Sequence, residues 1–192
     1  MSTRIRLGIS AFAAIAATVA AAPSNAAVTV IGGGLGKACY EAVEYARLTP
    51  SQALEICDLA LEQERLTRRD RAATLTNRGI LHMRDGRHAR ALADYQRSLT
   101  LMPELIETKV NLGAALYGLK RYPEALATLT EGITTESVDA RATGFYNRGL
   151  THEKLGDLQS AYEDFQAALR AKPDFELAAK QLGRFTVERA PG

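Results

Sequence analysis

Glycine recurs in this chain at a nearly constant step. Gly79, Gly113, Gly149 and Gly183 stand 34, 36 and 34 residues apart. The first three close the same short phrase: Asn77-Arg78-Gly79, Asn111-Leu112-Gly113 and Asn147-Arg148-Gly149. Ala91, Ala125 and Ala161 follow at one offset, and Tyr95, Leu129 and Phe165 at a second. Pro103 and Pro173 close the outer two copies. A fixed step of this size marks one supersecondary unit repeated along the chain. No unit can bury its apolar face alone, so the units must stack. Composition agrees: aromatics make up 6%, tryptophan is absent and alanine is abundant. Small side chains suit closely packed helices and not a β-sandwich or barrel.

The pattern resembles tetratricopeptide repeats, with a small residue at position 8, Ala at 20, an aromatic at 24, Ala at 27 and Pro at 32. Copies beginning at Ala72, Ile106 and Ala142 bring Ala91, Ala125 and Ala161 to position 20, and Tyr95 and Phe165 to position 24. The resemblance implies an all-α fold, a right-handed α-solenoid of stacked antiparallel helix hairpins with a C-terminal capping helix. It divides the chain into a degenerate first hairpin (37–67), repeats at 72–105, 106–141 and 142–175, and a capping helix at 176–189. Glycine or alanine at positions 8 and 20 lets the two helices of a hairpin approach. The aromatic at 24 is expected to fill the space towards the next hairpin, and proline to end the second helix. The middle copy departs, with Leu129 for the aromatic, Gly132 for alanine and no closing proline. Two extra residues near Thr134-Thr135-Glu136-Ser137 predict a longer, looser loop.

The first 26 residues read differently. Arg4 and Arg6 precede an uncharged, alanine-rich run from Leu7 to Ala22, then Pro23-Ser24-Asn25-Ala26. A positive start, a short apolar run and a small-x-small ending describe a cleaved signal peptide, with Ser24 and Ala26 before the cut. The run is short for the roughly 20 apolar residues of a spanning helix, although a retained anchor is the competing reading. The expected destination is the bacterial periplasm or the exterior, without membrane insertion after cleavage. Removing Arg4 and Arg6 from 24 basic residues leaves 22, equal to the 22 acidic ones. A neutral chain gives no electrostatic reason to expect nucleic acid or an anionic membrane as partner.

Residues 27–36 are expected to be a glycine-rich linker. Val28-Thr29-Val30-Ile31 followed by Gly32-Gly33-Gly34-Leu35-Gly36-Lys37 superficially suggests a strand running into a phosphate loop. Lys37 stands where a dinucleotide fingerprint needs glycine, and Ile31 and Ala38 break a Walker loop. Beyond it, Thr49-Pro50-Ser51-Gln52 predicts a capped helix start, with proline in the first turn and glutamine at the capping-box position. Cys39 and Cys57 fall on the two helices flanking that turn, at similar distances from it, so helical rise sets them at similar height. An even cysteine count in an exported chain favours a Cys39–Cys57 disulfide; two buried thiols are the alternative.

No catalytic, cofactor or metal motif is present. His82 and His152 share repeat position 11, which argues packing; His88 has no partner in the sequence. Glu163 and Asp164 are neighbours on a helix, face different ways and read as solvated surface; Arg148 reads as solvated or packed along its stem. The chain is therefore expected not to be an enzyme. In arrays of this kind the first helices line the concave face. Asn77, Asn111 and Asn147 all fall at position 6, where an asparagine can donate to and accept from an extended peptide backbone, or can satisfy helix ends instead. Arg84, Tyr117, Tyr146 and Lys154 complete the candidate peptide site, the tyrosines as anchors. The carboxylate clamp for acidic C-termini is absent, since Thr76, Ile80, Thr143 and Asn147 occupy its positions. The expected function is a protein- or peptide-binding scaffold in the cell envelope; self-association into a homo-oligomer is the alternative.

Overall fold

The structure, a computed structural model, describes residues 3–7 and 27–189. Among the described residues, nine helices follow one another: α1 (Gly34–Tyr45), α2 (Pro50–Gln63), α3 (Arg68–Arg84), α4 (His88–Leu101), α5 (Ile106–Gly118), α6 (Tyr122–Gly132), α7 (Val138–Lys154), α8 (Leu158–Ala171) and α9 (Glu176–Leu182). β1 (Thr3–Leu7) pairs antiparallel with β2 (Phe185–Arg189). Apart from β1, the stretch expected to be a signal peptide lies outside the described residues. Consecutive helices pair as hairpins, α1 with α2, α3 with α4, α5 with α6 and α7 with α8, and each hairpin packs on the next. This is the expected all-α solenoid.

The recurring glycines are set by contact. A Cβ on Gly79 would lie 2.4 Å from the Tyr95 ring, one on Gly113 2.4 Å from Leu129, and one on Gly149 2.8 Å from Phe165. The large residue therefore presses first on the glycine of its own hairpin, not only on the next hairpin as expected. It also explains why leucine serves in the middle copy: the glycine leaves a hollow that either shape fills. At the helix starts, Thr49 accepts from Gln52 N–H and Gln52 Oε1 accepts from Thr49 N–H, closing the predicted capping box. Thr67, Ser137 and Asp157 cap α3, α7 and α8 with the side chain alone, accepting from the backbone N–H of Asp70, Ala140 and Ser160.

Four expectations need correction. The loop after α6 is anchored: Thr135 is buried and donates to Glu107 Oε1 at 2.6 Å, and its carbonyl accepts from Arg141. The linker expected at 27–36 is a linker only in part. Val28 and Val30 are buried against Ala72, Ala73 and Leu105, and α1 already begins at Gly34, because Glu64 accepts from Gly36 N–H at 2.7 Å at its open end. The capping helix stops at Leu182, with Gly183 at its end; the β-branched pair Thr186-Val187 continues as strand.

The fourth correction concerns charge. Asp164 is buried, not solvated, and Arg148 grips it with two hydrogen bonds of 2.8 and 2.7 Å. Arg78 and Asp94 repeat the arrangement at 2.8 and 2.6 Å. His82 and His152 stand beside these carboxylates, their Nε2 atoms 3.9 and 3.8 Å from Asp94 and Asp164. The middle copy carries Leu112, Leu116 and Thr128 at the three corresponding positions. The set is thus present whole or replaced whole. Arg78 also reaches Asp58 of α2 at 2.7 Å, so it ties its own hairpin to the preceding one.

Cys39 and Cys57 form a disulfide that joins α1 to α2. Both are fully buried among Ala42, Val43, Ala53 and Ile80. The bridge compensates for a first hairpin whose interior is built from small residues and lacks the large side chain (Tyr95, Leu129 or Phe165) that fills the later ones.

Candidate peptide-binding site

Asn77, Asn111 and Asn147 occupy the same place on α3, α5 and α7, and 0%, 1% and 0% of their surface is exposed. A buried amide must find partners for its donor and acceptor. Asn77 finds both on one residue. Val28 N–H donates to its Oδ1 at 2.9 Å, and its Nδ2 donates to Val28 O at 2.9 Å. This is the two-bond grip expected of an asparagine facing an extended peptide, and the extended segment is the chain's own.

The other expected site residues divide into two groups. Tyr146 is a core residue: its ring lies 5.9 Å from Phe165 and 5.5 Å from Phe175, and only 2% of its surface is exposed. The C-terminal segment closes over it, so it is not a free anchor. The same segment brings Arg184 to both carboxylate oxygens of Glu153, at 3.1 and 2.8 Å, and to Gln181. Tyr117 is also buried and packs edge-on against Tyr122 at 5.6 Å. Burial pushes its hydroxyl pKa up to about 12, so it acts as a neutral hydrogen-bonding group at physiological pH. Arg84 donates to Val43 O at 3.0 Å, which fastens α3 to α1 and lies away from Asn77 at the far end of the helix. Lys154 is exposed at the end of α7.

Sequence reasoning missed Asp70 and Val28. Asp70 Oδ1 accepts from Ile31 N–H at 3.0 Å, and Thr67 Oγ1 donates to its other oxygen at 2.8 Å. Nothing in the repeat pattern marks Asp70, which precedes the first repeat. It also missed the Arg–His–Asp sets, which were legible as a 16-residue offset between Arg78 and Asp94 recurring between Arg148 and Asp164. Among the described residues no group of three His, Cys, Asp or Glu could hold a metal, and no helix is long and apolar enough to cross a membrane.

Two family profiles, each described as Tetratricopeptide repeat, match residues 70–135 and 142–175, together just over half of the chain. The chain belongs to the tetratricopeptide-repeat family. Among curated proteins it is 35% identical over 99 residues to Protein SGT1 homolog of Bos taurus, covering 52% of this chain and 28% of that one. It is 37% identical over 71 residues to the DnaJ homolog subfamily C member 7 homolog of Schizosaccharomyces pombe, covering 37% and 15%. The chain thus spans less than a third of the length of these relatives. Among solved structures, MamA residues 41 to the end from Desulfovibrio magneticus RS-1 superposes with a TM-score of 0.62 at 24% identity, covering 79% of this chain and 83% of that one. YrrB, described as a tetratricopeptide-repeat protein with an unusual peptide-binding site, gives 0.60 at 22% identity, covering 76% and 73%. The second such domain of human RPAP3, solved with an HSP70 peptide, gives 0.55 at 24% identity, covering 61% and 96%.

Proposed function

We propose that the chain is a non-catalytic protein- or peptide-binding scaffold that works in the bacterial cell envelope after export. The observation that carries the binding reading is the grip of Asn77 on Val28. One buried amide on the α3 face holds an extended backbone by donor and acceptor together. Such a grip reads main chain rather than side chain, and is strong because no water competes for a buried amide. RPAP3 domains solved with HSP70 and HSP90 peptides, and YrrB with its peptide site, support a peptide-binding use of the fold. The ligand class differs from an acidic C-terminus, because Thr76, Ile80, Thr143 and Asn147 offer no cation at the clamp positions. The envelope location rests on the sequence of residues 1–26 alone.

The test is recovery of partners from envelope extract by the exported chain, compared with Asn77/Asn111/Asn147→Ala and with a Glu163→Lys control. Partners held by the wild type and the control but lost from the triple variant, at unchanged helicity, support the reading. Equal recovery by all three refutes it. Export is tested by the mass of the protein isolated from the periplasm: a chain that still begins at Met1 refutes cleavage.

A further inference from the structure

Residues 27–31 lie as a strand-like segment, outside any sheet, along α3, and its contacts are those of a bound ligand. Asn77 holds Val28 by two hydrogen bonds, and Asp70 accepts from Ile31 N–H. Asp70 and Asn77 are seven residues apart, about 10.5 Å along a helix, and three residues of extended chain span about 10 Å. The two clamps are therefore spaced for a straight strand running antiparallel to α3. Side chains alternate as a strand requires: Val28 and Val30 are buried, whereas Thr29 and Ile31 face outward, Ile31 with 71% of its surface exposed. The pocket beneath them is lined by Ala72, Ala73 and Leu105.

The link from this strand to the scaffold is open. Gly32 and Gly33 are exposed, and a Cβ on Gly33 would meet nothing within 4 Å. Gly34, with φ +71°, turns the chain into α1, whose end is held independently by Glu64. Strand and scaffold thus meet through a glycine joint that is open at Gly33 and flanked by Asp70 beside Gly32 and Glu64 beside Gly34.

We propose that residues 27–31 are a tethered ligand occupying the first-repeat section of the peptide face, and that partner segments compete with it. The partner is an extended peptide with β-branched apolar residues two positions apart, read by Asn77 and Asp70 through its backbone. This inference rests on the peptide-binding reading above and adds the ligand's chemistry and its regulation. A short tether presents the strand at millimolar effective concentration. A free peptide making the same contacts therefore binds weakly until the strand is released.

The experiment uses the full exported chain. Val28→Pro removes the N–H donated to Asn77, and Val30→Asp puts a carboxylate into the apolar pocket; together they release the strand. The probe is a fluorescein-labelled peptide of residues 27–33, titrated by anisotropy. The expected result is binding to the released variant at least about tenfold tighter than to wild type, with Asn77→Ala in the released background abolishing the gain. A released variant of wild-type helicity that binds no better than wild type overturns the inference. So does a doubled mass of the wild type in solution that the release substitutions abolish, which would assign the strand to a second copy. Hydrogen exchange on the unaltered chain is independent of any variant. The Val28 and Ile31 amides are protected and lose protection when the peptide saturates; a fast Val28 amide in the free chain overturns the inference. Envelope partners captured equally by wild type and released variant would also overturn it, while leaving the peptide-binding reading standing.

Discussion

The Arg78–His82–Asp94 set makes a sharp energetic prediction, because the chain contains its own uncharged replacement. Asp94 is buried and accepts two hydrogen bonds from Arg78, whose side chain is only 18% exposed. Asp94→Ala leaves that guanidinium largely buried. Its remaining partner is Asp58, 50% exposed, which compensates in part. Breaking a buried pair costs about 3–5 kcal/mol, and the residual Asp58 contact places this one near the lower end, about 3 kcal/mol. For a chain of this size that is a fall in Tm of about 6–12 °C. The triple variant Arg78→Leu/His82→Leu/Asp94→Thr instead imports the set found at Leu112, Leu116 and Thr128. It removes both charges together, and also the His82 Nδ1 atom, which is buried without a hydrogen-bond partner. Exchanging a whole buried ion pair for apolar residues is often neutral or stabilising. The triple variant should therefore melt within about 3 °C of wild type or above it. Thermal unfolding followed by circular dichroism at 222 nm compares the three proteins. A triple variant that melts as low as Asp94→Ala would refute the argument that the set acts as one exchangeable unit.

Three further outcomes follow from local geometry. Lys120 holds φ +60° at a turn where Gly86 and Gly156 occupy the equivalent places with φ +69° and +85°; Lys120→Gly should raise stability by about 0.5–1 kcal/mol in urea melts, and a loss would show that the lysine side chain contributes more than its backbone strain. Reducing the Cys39–Cys57 bridge, which closes a separation of 18 residues, should lower stability by roughly 3 kcal/mol, read as the difference in urea midpoint with and without reductant. Burial lowers the His82 pKa below its ordinary value, against the raising effect of Asp94 and with help from Arg78, Arg87 and Arg90. The unfolded chain then takes up a proton near pH 6.5 that the folded chain refuses, so stability falls as pH drops below about 6.5 and is flat above 7.5 in this respect. Urea melts at pH 5.5 and 7.5 should differ less in His82→Leu than in wild type; an unchanged difference would assign the acid sensitivity elsewhere.

The hairpins were legible because their determinants are local and repeated. Gly79 with Tyr95, and Gly149 with Phe165, are each the two halves of one contact at a fixed offset. A pattern that recurs three times separates such pairs from accident. The Thr49–Gln52 box was legible for a simpler reason, since a capping box lies within four residues. The disulfide followed from two cysteines equidistant from one turn. The Arg–Asp pairs were equally regular but escaped notice, because surface helices carry many charges and periodicity alone does not reveal which are buried. The 16-residue offset and the joint replacement by Leu112, Leu116 and Thr128 were the available signal.

The asparagines show where local reading ends. Position and chemistry pointed to a side chain able to hold a backbone by donor and acceptor, and Asn77 does so. The partner could not be foreseen, because Val28 lies 49 residues away in a stretch that reads as linker. Glycines 32 to 36 conceal a short alternating strand, Val28-Thr29-Val30-Ile31, whose two buried valines match a pocket assembled from α3 and the start of α5. Those four residues look strand-like in the sequence, but the glycine-rich run that follows them favours a linker. The repeat pattern had marked Asn77 in the receptor half of the contact, while Asp70 and the ligand half carried no repeat to mark them. In this chain the same regularity that makes the scaffold readable therefore leaves its first occupant invisible, and only the distance between Asp70 and Asn77, set by helical rise, reveals that the two halves are built to one length.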